Sequence, residues 1–150
     1  MTALVTSSSL ATASATVKEW RERYEALLDT AKRLREQEHY EAAIVMAQTA
    51  CELCTEAVLT GALRERVEDD DVADLITDTL GSYSPTNDRV KKWFELLFGY
   101  PIQDEPFWQP LKKHVARRHG IVHRGEEATP KEADESIAAV ENTIRHLLQA

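Results

Sequence analysis

Residues 116–125 read Ala-Arg-Arg-His-Gly-Ile-Val-His-Arg-Gly, and their side chains suit chemistry on a phosphate. An arginine fork matches phosphate oxygens two at a time and stays charged throughout the physiological range. Histidine exchanges protons near neutral pH and so serves as general acid or base. Arg118 and His123 are the candidate reacting pair, and His119 stands directly after the arginine. Lys112, Lys113, Arg117 and Arg124 add positive charge, and no carboxylate occurs from Lys112 through Arg124. Of these, Lys113, Arg117 and Arg124 are the candidate phosphate-holding residues. A plain alternative stands beside this one for the surrounding cations: positive side chains at a helix C-terminus complement the helix dipole and need no ligand.

The apolar face of the preceding segment, Trp108, Leu111 and Val115, continues to positions 118 and 119, so Arg118 or His119 falls where an aliphatic residue is expected. In an unbroken helix, residues five apart diverge by about 140°, which would keep Arg118 and His123 from sharing a ligand. A glycine just past a helix end readily turns the chain. Gly120 is therefore expected to end the helix and fold His123 back toward Arg118. Glu52, with Gln48 one turn before it and Glu56 one turn after, is a candidate supporting carboxylate that could reach Arg118 across the bundle, though a solvated face is the simpler explanation.

The elements that position these residues are helices. Val17, Trp20, Tyr24, Leu27, Ala31 and Leu34 alternate three- and four-residue spacings, as do Tyr40, Ile44, Ala47, Cys51, Cys54 and Val58. They predict two long helices joined by a short connection and packed antiparallel. A short helix capped by Asp71 is expected to run to about Leu80, and another opens at Asn87 or Asp88 and stops at Gly99. Thr129-Pro130-Lys131-Glu132 has the form of a capping box with proline at the first helical position. Ala133, Ile137, Val140, Ile144 and Leu147 follow on one stripe. Nothing alternates convincingly with period two. The fold class is all-α, an up-and-down bundle of four main helices with one or two short extra helices. Residues 1–15, rich in Ser, Thr and Ala, are expected to form a disordered tail, and residues 16–150 a single helical domain.

The chain has 150 residues and a net charge of −8, enough length for one cored domain without staples and the wrong sign for a protein that binds nucleic acid over its whole surface. A local basic site remains compatible. Cys51 and Cys54 read as small apolar core residues, because a lone C-x-x-C lacks a second ligand pair. No metal and no cofactor are expected. No apolar run is expected to reach the length of a membrane span, and a cytoplasmic protein is expected. His114 and His146 read as surface residues and His39 as part of a helix end. Trp20, Trp93 and Trp108 read as core rather than as base-stacking platforms.

Arg118-His119-Gly120-Ile121-Val122-His123 resembles the R-x4-6-H motif of the HEPN superfamily, in which a polar residue often follows the arginine. The segment from Trp108 to Gly125 and the helix after Thr129 are similar to the motif-bearing helix, loop and final helix of that family, and the resemblance covers residues 16–150. It implies a metal-independent endoribonuclease, in some members a toxin or phage-defence effector, with Arg118, His119 and His123 at the catalytic site. It further implies a homodimer whose two motifs meet at one cleft, RNA as substrate, and, in toxin–antitoxin systems, a small nucleotidyltransferase-type antitoxin as partner. The products of such cleavage are a 2′,3′-cyclic phosphate and a 5′-hydroxyl. Other members are inactive modules that bind a nucleotide, RNA or a protein partner, and that alternative stays open.

Overall fold

The computed structural model describes residues 7–149, with side chains from Lys18 onward. Its elements are α1 (Ser7–Glu36), α2 (Tyr40–Arg66), α3 (Asp70–Asp78), α4 (Asp88–Phe98), a 3-10 turn (Ile102–Asp104), α5 (Trp108–Arg124) and α6 (Pro130–Leu147), and no strand occurs among the described residues. The all-α expectation holds. Residues 7–15, expected as part of a disordered tail, fall within α1, consistent with the helix propensity of its alanines. Residues 1–6 and the side chain of Val17 lie outside what is described.

The two N-terminal stripes pack as their spacing predicts. Tyr24 and Ala31 of α1 are buried, with Leu27 and Leu34 packed against the core beside them; Ile44, Ala47, Cys51 and Cys54 of α2 are fully buried. The connection of three residues turns at Glu38, whose φ of 64° is left-handed. α2 is the central helix, packed against α1, α3, α4, α5 and α6. By length and composition it is apolar enough to cross a membrane, which corrects the reading that no stretch is; its apolar residues face neighbouring helices, as a core helix requires. Burial pushes the Cys54 thiol up to about 12 and raises that of Cys51, so both cysteines act as apolar packing groups.

Local signals decide most helix ends. Asp69, rather than Asp71, caps α3: its Oδ1 accepts from the N–H groups of Asp71 and Val72 at 2.9 and 3.1 Å. Asn87 caps α4, which stops at Gly99 with φ 80°. The capping box at α6 forms in both directions, Glu132 N–H to Thr129 Oγ1 and Thr129 N–H to Glu132 Oε2, and all five stripe residues of α6 are buried. α6 is tied to α1 by Arg35 on Asp134 and Lys32 on Glu141, and to α5 by Arg117.

Candidate functional site

α5 carries the motif, and it is one uninterrupted helix through Gly120 to Arg124. The predicted break at Gly120 does not occur. The chain turns five residues later at Gly125, whose φ of 66° is the left-handed conformation, and the Gly125 N–H donates to Ile121 O at 3.1 Å. Gly120 is a packing position: a Cβ there would lie 2.0 Å from Glu126 Oε2 and 2.9 Å from Arg124 Nη2. Its missing side chain lets the segment after the helix fold back over α5. His123 thus stays on the helix, about 140° around it from Arg118, and the two do not converge within one chain.

What the helix brings together instead is His119 and His123. One turn apart on the exposed side of α5, their ring centroids lie 4.4 Å apart at 44°. Alongside runs an open groove of about 410 Å3 lined by Thr86, Lys112, Val115, Ala116, His119 and Arg124. Val122, beside them, is an exposed large apolar residue.

Arg118 lies on the inner side of α5 and is only partly exposed. Its Nε is buried without a hydrogen-bond partner, whereas its terminal nitrogens are not among the buried unpaired atoms.

The other cations are engaged. Arg117, expected to hold phosphate, donates to Glu132 O at 3.1 Å, Ser136 Oγ at 2.7 Å and Glu135 Oε2 at 3.1 Å; it pins α5 to α6. Lys113 pairs with the same Glu135 at 3.4 Å, and Arg124 with Glu126 at 2.7 Å. The Lys113 and Arg124 pairs are exposed, whereas Arg117 is largely enclosed. Lys112 lies on the groove with no ion pair among the described residues.

Glu52 does not pair with Arg118. Its Oε1 accepts from Gln48 Nε2 at 2.8 Å, and Gln48 Oε1 in turn faces His114 Nε2 at 3.0 Å. Gln48 Nε2 also lies 3.4 Å from Ser84 Oγ, which shares a hydrogen bond with Thr86. His114, expected at the surface, is fully buried, because its position on α5 faces α2. Burial, with the charges of Arg117 and Arg118 nearby, brings its pKa down to about 4. His146, also expected at the surface, packs on Phe107 and lies 3.2 Å from the Tyr100 hydroxyl. His39 does sit at the start of α2. Gln48 and His114 are the residues that the sequence reading missed. Their signal was available as two polar side chains inside apolar stripes.

Among the described residues no group of three or more His, Cys, Asp or Glu side chains is placed to hold a metal ion. A comparison with protein-family models matches the HEPN domain over residues 17–149. The chain belongs to the HEPN domain family. Searches of curated proteins and of solved structures find no match. Arg118, His119 and His123, the residues that carried the resemblance in the sequence, all lie on one continuous helix of this HEPN domain.

Proposed function

We propose that this HEPN domain is a metal-independent endoribonuclease acting as a dimer. The carrying observation is the placement of Arg118, His119 and His123 on the last turns of α5, with the two imidazoles side by side and the guanidinium Nε buried. In this reading His123 removes the 2′-hydroxyl proton of RNA, and the 2′-oxygen attacks the adjacent phosphorus. Arg118 holds the charge that develops on the phosphorane oxygens. The bond to the 5′-oxygen breaks as that oxygen receives a proton, leaving a 2′,3′-cyclic phosphate and a 5′-hydroxyl.

The need for a second copy comes from geometry. The entering and leaving oxygens of an in-line displacement lie on opposite sides of phosphorus, and two rings side by side on one helix do not flank both. A symmetric partner supplies a second motif across the cleft, and His119 shares the proton work or orients the phosphate. A role as a toxin or phage-defence effector, with a nucleotidyltransferase-type antitoxin, rests on the family resemblance alone.

The test is cleavage of a varied pool of single-stranded RNA with EDTA present. The wild type should cut, and His123→Ala should lose activity by about 10²-fold or more, the usual contribution of a positioned acid–base group, while still binding RNA. Binding that persists without any cutting by the wild type would leave a silent binding module.

A further inference from the structure

The hydrogen bonds of Gln48 run in a fixed direction. A carboxylate only accepts, so the Gln48 group 2.8 Å from Glu52 is its amide nitrogen, and the group facing His114 is its carbonyl oxygen. That oxygen requires a donor, so His114 carries its proton on Nε2. The other ring nitrogen, Nδ1, is then a bare acceptor, and it is buried without a partner. One helical turn further along the same side of α5, the Nε–H of Arg118 is a buried donor without a partner. Residues four apart on a helix are neighbours. These two are complementary, and they are the only buried unpartnered side-chain polar atoms among the described residues.

We propose that Glu52, Gln48 and His114 form a buried positioning relay for Arg118, in which His114 Nδ1 accepts the Arg118 Nε–H across one water molecule. The relay fixes the inner edge of the guanidinium and leaves its two terminal nitrogens as a pair aimed at a phosphate. The carboxylate of Glu52 thus acts on Arg118 through two intervening side chains instead of by an ion pair. A direct ion pair would compete with phosphate for the same guanidinium; a neutral imidazole on Nε leaves its charge available. His114 is suited to this because burial and the flanking arginines keep it neutral. Ser84 and Thr86 close the chain at the surface, where Thr86 lines the groove beside His119. Its functional importance rests on the ribonuclease reading above, but its existence does not.

The experiment therefore reads Arg118 itself. In 15N-labelled protein the Arg118 Nε–H resonance, assigned by its loss in Arg118→Lys, should be protected from solvent exchange at neutral pH. His114→Phe keeps a ring and removes the acceptor, and protection should fall by about tenfold or more, as expected on losing a hydrogen bond to a charged group. Gln48→Met, which keeps length and apolar volume but frees the His114 tautomer, should give a smaller loss in the same direction, and serves if His114→Phe does not fold. Restoring an acceptor with His114→Gln should recover part of the protection. On RNA, both disrupting variants should lower kcat with a smaller change in KM. A wild-type Arg118 Nε–H that exchanges as fast as in folded His114→Phe or Gln48→Met overturns the relay, whatever the activity. Protection lost in the variants while the wild type cuts no RNA upholds the relay and removes the ribonuclease reading.

Discussion

Arg117 and Arg118 are adjacent in sequence and opposite in role. Arg117 reaches the backbone of Glu132, the buried Ser136 hydroxyl and the Glu135 carboxylate, so Arg117→Ala should cost about 2–3 kcal/mol, the scale of lost hydrogen bonds to a charged group. Arg118 has no such set, and Arg118→Ala should stay within about 1 kcal/mol of the wild type. Urea denaturation of the two variants separates them. Equal losses would place Arg118 in the structural frame with its neighbour. His114 makes a second demand at this scale. Its folded pKa of about 4 lies below the ordinary 6.5, so the unfolded chain binds the proton more readily. Its contribution is fully present above about pH 6.5, and it is lost as pH falls toward 4. At about 1.4 kcal/mol per unit this amounts to roughly 3 kcal/mol. His114→Phe should flatten the stability profile across that window, measured by denaturation at a series of pH values.

At the scale of elements, glycine at 120 and glycine at 125 illustrate what a sequence carries and what it does not. Both stand near a helix end among basic residues, and either could stop a helix. Gly120 remains helical, and the Glu126 side chain occupies the space its own side chain would take; nothing in residue type alone separates a glycine inside a helix from one that ends it. Gly125 needs a positive φ, so Gly125→Ala should cost about 1–2 kcal/mol. Gly120→Ala gains about 0.8–1 kcal/mol of helix propensity against disturbance of the exposed Arg124–Glu126 pair, and should change stability by less than Gly125→Ala. Melting temperatures of the two variants give the order. The stripes of α1, α2 and α6, the Asn87 cap and the Thr129 capping box were legible because each depends on spacing within a few residues. The chain from Glu52 through Gln48 to His114 was not, because Gln48 and His114 are 66 positions apart and only helix docking makes them neighbours. The geometry expected of the stretch from Arg118 to His123 was misjudged with the glycine.

For the whole molecule, the motif end of α5 presents Val122 to solvent between Arg118 and His119. A second copy covering that face would join two motifs and bury this side chain. We expect a dimer at micromolar concentration by light scattering, and Val122→Glu should yield a folded monomer that has lost RNA cleavage with its partner. A Val122→Glu protein that stays dimeric would move the interface elsewhere.

The link from Arg117 to α6 also bears on when the site comes into being. On the ribosome the motif helix is made before Glu132, Glu135 and Ser136, the residues that clamp it, whereas Gln48 has long since emerged. Until α6 follows, α5 has α2 to pack on but lacks the partners that Arg117 clamps. The nascent chain therefore carries its arginine and histidines past the translation machinery, itself built of RNA, before they are locked in place. On the ribonuclease reading proposed above, the motif is fixed for cleavage only once Arg117 has closed on α6.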